Sequence, residues 1–168
     1  DLVSYSIDYE DSKTLAPLLE ATGLLDYINV WVGHILDNAS FRAHWPTYYH
    51  APGEFAELPA GVKQLVGLPV IGAGRIDTPA LAERMLAEGK MDLVGMVRGL
   101  VADPHMPNKA REGRLEDIRM CIACNQSCVG RHPIACIYNP VTGHEKQWAD
   151  LGRAQVEKKV RGHLAALL

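Results

Sequence analysis

The four cysteines of the chain all fall between Cys121 and Cys136, in the run Cys121-Ile-Ala-Cys124-Asn-Gln-Ser-Cys128 with Cys136 following a short basic loop. Thiolates separated by two and three residues can turn a tight loop about one centre. A fourth from further along completes the four-sulfur shell that an iron–sulfur cluster or a zinc ion takes. Structural zinc usually pairs two C-x2-C knuckles, and the second half here is C-x7-C. Disulfide frameworks belong to small secreted domains. No signal-like apolar segment is present, although the chain starts at Asp1 without a methionine. Spacing alone therefore ranks a cluster first, zinc second, and disulfides or free thiols last.

A second concentration of chemistry lies where strands turn into helices. In Gly72-Ala-Gly74-Arg75 the glycines let backbone approach an anion, the following helix offers free N–H groups, and Arg75 adds a full charge. It is a weak dinucleotide fingerprint, because Asp77 stands where the third glycine belongs. A turn shaped by sterics alone competes with the anion reading. Arg98 sits beside Gly99 at the next strand end. Two successive glycine-and-arginine turns suit the phosphate site that TIM barrels build after strands seven and eight.

Between Gly33 and about Leu58 runs a long stretch read as loop, rich in aromatics and histidine: His34, Phe41, His44, Trp45, Tyr48, Tyr49, His50 and Phe55. Loops of that length are functional or disordered, and aromatic content argues against disorder. It is either a lid packed down by its aromatics or a lining for substrate.

The elements that must position these residues alternate. Leu2–Ser6 reads as a strand end. Ser12 is the expected N-cap of a helix from Thr14 to Ala21 with Leu15, Leu18 and Leu19 on its inner face, and Gly23 stops it. Tyr27–Val32 is expected to be a buried strand. A short helix over 59–66 and a strand over 68–71 follow. Asp77 or Thr78 then caps a helix to Glu88 with Pro79 in its first turn and Leu81, Met85 and Leu86 inward. A strand over 92–96 and short helical pieces over 108–113 and 115–118 lead to the cysteines. The tail from His144 onward is polar, then weakly amphipathic. Such an order calls for a parallel sheet covered by helices. Open doubly wound sheets and TIM barrels both satisfy it.

With 168 residues, 48% hydrophobic and 22% charged, the chain is an ordinary globular one with room for a sizeable core. A formal charge of −3 argues against a nucleic-acid surface. No apolar run approaches the roughly eighteen residues of a membrane span. The expectation is a cytoplasmic protein that binds neither nucleic acid nor membrane, and the abrupt start inside a strand reads as a fragment.

Several segments occur in a telling order: Val-Ile-Gly-Ala-Gly-Arg75-Ile, Asp92-Leu-Val-Gly-Met-Val-Arg98, Ala102-Asp-Pro, Asn108-Lys-Ala-Arg-Glu-Gly-Arg114-Leu-Glu-Asp-Ile-Arg119, the cysteine run and Asn139-Pro140. From Leu2 to about Glu145 they resemble the C-terminal half of the barrel in old yellow enzyme-like NADH:flavin oxidoreductases with a 4Fe-4S cluster, the 2,4-dienoyl-CoA reductase and trimethylamine dehydrogenase group. The resemblance implies an α/β chain: half a TIM barrel (strands five to eight) over 1–119, a cluster segment over 120–145, and a truncated linker over 146–168 toward a nucleotide-binding domain. It implies FMN, with Arg75, Arg98 and backbone of Gly74 and Val97 on the phosphate, and Gln126 near the flavin. Cys121, Cys124, Cys128 and Cys136 would hold the cluster, and His34, Asp37, Trp45, Tyr48 and Tyr49 would line the substrate site. FAD and NAD(P)H are implied for the full-length parent, with a small-molecule substrate (an enoyl or dienoyl compound, or an N-methylated amine), an electron donor or acceptor, and room for an oligomer. Leu2 stands where the family usually has a flavin-contacting arginine, and the Cys128–Cys136 loop is shorter than usual. A non-catalytic zinc-binding fragment is the alternative.

Overall fold

The computed structural model describes residues 7–36, 38–130 and 132–148. The expected strand at Leu2–Ser6, the candidate residue Asp37 and the tail beyond Trp148 lie outside the described residues.

Helix α1 (Tyr9–Ala21) starts earlier than its leucines suggest. Asp8 caps it: the Asp8 carboxylate accepts from the Asp11 N–H at 2.9 Å, and the Asp11 carboxylate accepts from the Asp8 N–H at 3.1 Å. Ser12, the expected cap, instead donates its hydroxyl to the Asp8 carbonyl at 2.8 Å. An aspartate serves the free N–H groups as well as a serine does, and its charge suits the positive end of the helix. The expected inner face is also corrected. Leu15, Leu18 and Leu19 are exposed, while Ala16 packs with Val62 and Val70. A methyl group there lets the helix approach its neighbours closely, which a leucine would prevent.

The sheet is parallel and ordered β1 (Ile28–Val30), β2 (Val70–Gly72), β3 (Leu93–Val94). Ile28 pairs with Val70 and Val30 with Gly72, and Gly72 pairs in turn with Val94. The strand expected to be buried over 27–32 is three residues long, with Tyr27, Asn29 and Trp31 exposed. Side chains alternate between faces of a strand. Ile28 and Val30 point toward the helices, and the odd-numbered positions take the other side. At the centre, Gly72 is a steric requirement: an added Cβ would meet Met91 Sδ at 2.6 Å and Pro59 Cγ at 2.8 Å.

Two apolar clusters hold the helices to the sheet. One joins Ala16, Val62 and Val70, using α3 (Glu57–Lys63); the other joins Ala56, Ile76, Leu81, Met85 and Met91, using α4 (Pro79–Ala87). Thr78 caps α4 by accepting the Leu81 N–H at 3.2 Å, with Pro79 in the first turn as expected. Leu86, expected inside, is 37% exposed. The stretch read as a long loop contains α2 (Asn38–His44). Seven residues without an apolar stripe give no periodic signal, and tertiary contacts hold them. Ser40 Oγ accepts the His34 N–H at 2.8 Å, and the His44 ring stacks on Trp31 at 4.9 Å.

After β3 the chain forms α5 (Arg98–Ala102), α6 (Met106–Arg111) and a 3-10 turn at Leu115–Asp117. Asp103, buried between them, accepts Lys109 Nζ at 2.5 Å, the Arg119 N–H at 3.0 Å and the His105 N–H at 3.1 Å. This junction aims the chain at Cys121. Beyond Cys136, Asn139 Nδ2 and Thr142 Oγ1 both donate to the Val101 carbonyl, at 2.9 and 3.0 Å, and pin the segment back onto α5. The last described element is α7 (Glu145–Trp148). Among the described residues no helix is long and apolar enough to cross a membrane.

Candidate cofactor site

The C-terminal ends of the three strands open on one cavity of about 180 Å³. Its floor comes from the turns after β2 and β3, including Gly74, Arg75, Val97 and Arg98; its wall comes from Asn29, Trp31, His44 and Trp45. Gly74 takes φ +126°, and a Cβ there would meet Phe55 Cβ at 3.3 Å. Arg75 follows at φ 50°, a left-handed conformation that costs a side-chain-bearing residue about 1–3 kcal/mol and persists only where its surroundings enforce it. Its Nε is buried and lacks a hydrogen-bond partner; the nearest acid, Asp77 Oδ2, is 3.9 Å away. A buried guanidinium N–H without an acceptor is costly, and Arg75 and Arg98 are both among the residues that line the cavity.

Asp77 lines the same cavity. Burial pushes its carboxyl above the ordinary range, although Arg75 and Arg98 pull it back. Between the ordinary and the raised value the folded chain holds more protons than the unfolded one. Stability therefore falls as pH rises through that window, and stays lower above it. Asp77→Asn is accordingly expected to raise the urea midpoint at neutral pH and to flatten its dependence on pH. An unchanged midpoint would show that the ionised carboxylate is not opposed by its setting.

Arg98 is tied on one side. Its Nη1 donates to the Pro46 carbonyl and to Asn125 Oδ1, both at 2.7 Å. Asn125 Nδ2 donates to the Trp45 carbonyl at 2.7 Å, and the Tyr48 N–H donates to the Ala123 carbonyl at 3.2 Å. The cysteine run is thus fastened to the aromatic segment at two points. Ala123 and Asn125 both have positive φ, at 52° and 56°, which coils the run tightly.

All four cysteines line a second, smaller cavity of about 20 Å³, together with Arg98 and Asn125. Cys121 Sγ accepts the Ala123 N–H and Cys136 Sγ accepts the Tyr138 N–H, each at 3.4 Å. Burial pushes the Cys121 and Cys128 thiols up, and neighbouring cysteines add to it. Among the described residues no three His, Cys, Asp or Glu side chains converge as a one-ion site. The four cysteines line one common space.

Gly74, Arg75, Val97, Arg98 and Trp45 therefore come together, as do the four cysteines, and Arg98 and Cys121 line both cavities. The remaining candidates lie elsewhere. Gln126 is exposed and outside both cavities. His34 Nδ1 accepts the Leu36 N–H at 3.1 Å, away from the cavity wall. Tyr48 and Tyr49 lie against each other, tilted by 36° with centroids 4.4 Å apart, and Tyr49 is 84% exposed. Sequence reasoning passed over Asn29, Trp31 and Asp77. Alternation along 29–31 is the signal that could have found the first two; Asp77 registered only as a missing glycine and a candidate helix cap.

The chain is similar to known proteins. The chain is 49% identical over 100 residues to a metal reductase of Desulforamulus reducens, covering 57% of this chain and 15% of that one. It is 37% identical over 144 residues to an N,N-dimethylglycine/sarcosine dehydrogenase of Chromohalobacter salexigens, covering 83% and 20%. The solved structure of a 2-naphthoyl-CoA reductase in complex with 2-naphthoyl-CoA superposes with a TM-score of 0.76 at 32% identity, covering 86% and 22%. The chain thus spans between 15% and 22% of the length of these relatives. The choice left open by strand–helix order is settled: these are successive units of a TIM barrel, not of an open sheet. Residues 7–117 match the model of the NADH:flavin oxidoreductase / NADH oxidase family, and the chain belongs to that family.

Proposed function

We propose that this chain supplies the FMN-phosphate site and the 4Fe-4S ligands of a flavin-dependent oxidoreductase. The observation that carries the reading is the shared wall: Arg98 and Cys121 line both the arginine cavity and the cysteine cavity. Arg75, with its buried and unpartnered Nε, and Arg98, with the amides of Gly74 and Val97, suit a dianionic phosphate. Four cysteines spread about one space, two of them accepting backbone N–H groups, suit a polynuclear cluster in which the sulfurs need not converge on one ion. Bound FMN supplies hydride and single-electron chemistry, and the cluster supplies one-electron relay. What the chain's own residues contribute is charge, position and exclusion of water.

Trp31, His44 and Trp45 form the aromatic wall of the cavity, with Trp31 stacked on His44 at an 11° interplanar angle and edge-on to Trp45. Such a wall takes a flat conjugated acyl group by stacking or a methylated ammonium by cation–π attraction. The substrate is accordingly an enoyl or dienoyl compound or an N-methylated amine. Electrons reach or leave the intact protein through NAD(P)H or a partner carrier.

Purification of the intact protein without oxygen tests the reading. Expected are bound FMN and about four iron atoms per chain. A colourless protein holding one zinc ion, or neither iron nor flavin, would overturn it in favour of a metal-binding fragment. Turnover of an enone with NADPH, set against bleaching of the flavin by an N-methylated amine, assigns the substrate class.

A further inference from the structure

The two cavities share more than a wall, because one side chain from the cysteine run reaches across to the arginine that both contain. Asn125 lies between Cys124 and Cys128, with φ 56° and its side chain half-buried. Both ends of its amide are engaged: the oxygen accepts Arg98 Nη1 at 2.7 Å, and the nitrogen donates to the Trp45 carbonyl at 2.7 Å. Arg98 Nη1 makes one further bond, to the Pro46 carbonyl at 2.7 Å. Two acceptors on one terminal nitrogen fix the plane of the guanidinium and leave its other donors for an anion. Arg75 has no such brace, and its nearest acid is 3.9 Å away. Arg98 is therefore the oriented member of the pair, and the cysteine run is what orients it.

We infer that Asn125 is a positioning residue for the anion site: by holding Arg98 from within the cysteine run, it makes retention of a phosphate-bearing cofactor depend on that run. The inference rests on the phosphate site proposed above. Only asparagine or aspartate combines tolerance of positive φ with an acceptor at this reach; serine and alanine lack one or both. Glycine keeps the backbone conformation and removes the brace, and aspartate keeps an acceptor for Arg98 but sets a negative charge beside the anion site.

The test is FMN affinity, read by flavin fluorescence, together with iron per chain in the intact protein. Asn125→Gly is expected to weaken FMN binding about tenfold with iron unchanged, as loss of one bond to a charged group implies, and Asn125→Asp to weaken it at least as much, because its carboxylate competes with the phosphate for Arg98. Arg98→Ala should weaken binding at least as much, and Asn125→Gly added to it should cost no more than about twofold further, because both act through one group. The inference is overturned if Asn125→Gly binds FMN like the parent, if its loss multiplies that of Arg98→Ala, or if iron is lost in step with FMN. Should Arg98→Ala itself retain FMN fully, the phosphate site fails, and the positioning role with it.

Discussion

Alanine at both Arg75 and Arg98 is expected to abolish flavin retention by the intact protein, with a loss of affinity on the order of a thousandfold. Each hydrogen bond from an ionised donor contributes about 1.5–3 kcal/mol where its partner would otherwise be unpaired, and every 1.4 kcal/mol is about a factor of ten. Two arginines on one dianion, at one such bond each, therefore account for about two to four orders of magnitude. The two positions differ in how cleanly they report. Arg75 Nε has no hydrogen-bond partner to lose, so Arg75→Ala removes charge from the cavity together with the 3.9 Å approach to Asp77. It leaves the left-handed conformation as strained as before, because alanine carries a Cβ too. Arg98→Ala additionally frees the Pro46 carbonyl and Asn125. Flavin content after gel filtration and the dissociation constant for added FMN measure the effect. Retention equal to the parent would remove both residues from the phosphate site.

Asp103→Ala is expected to cost about 3–5 kcal/mol of stability, the range seen when one member of a buried ion pair is removed. The side chain is only 4% exposed, and it collects three donors from three places: Lys109 in α6, His105 at its start and Arg119 just before the cysteines. Its loss leaves Lys109 Nζ with the Asp117 carbonyl at 2.8 Å as its recorded polar contact, and strips two backbone N–H groups of their acceptor. Burial pushes the Asp103 carboxyl up, but Lys109 and the two amides outweigh it and hold it below the ordinary carboxylate range. A depressed folded value contributes stability above the unfolded one, and that stability is lost as pH falls through the folded value. The parent should thus lose stability on acidification below the ordinary carboxylate range, and Asp103→Ala should lose less. Asp103→Asn keeps an acceptor and should fall between the two. Urea midpoints across a pH series measure all three. A cost under about 1 kcal/mol for the alanine variant would mean that the junction is not what holds α5, α6 and the approach to Cys121 together.

Much of the site was legible because its chemistry is local in the chain. The spacing of Cys121, Cys124 and Cys128 dictates that their sulfurs share a neighbourhood, and each glycine–arginine pair is read within one turn at a strand end. Helix α4 was legible for the same reason, since Thr78 and Pro79 are signals read within a single turn. The aromatic segment was not. Trp31 and His44 meet across thirteen positions, with the Trp31 Nε1–H donating to the His44 carbonyl at 3.3 Å, and no period in the sequence announces a pair brought together by a short helix. The leucines of α1 misled because amphipathic spacing identifies an apolar face without saying what lies opposite. The packed residue is Ala16, chosen by how closely α1 approaches Val62 and Val70.

By itself, then, the sequence determined the cysteine spacing, the two arginine turns and the βα alternation, since each depends on neighbours a few residues away whose geometry the backbone enforces. Which of these meet was decided only in three dimensions. Parallel pairing sets the turns after β2 and β3 side by side, the Asp103 junction folds the chain back beneath them, and Asn125 then comes within 2.7 Å of Arg98. Contacts between residues so far apart in sequence depend on the closure of every loop between them, and no local preference encodes that sum.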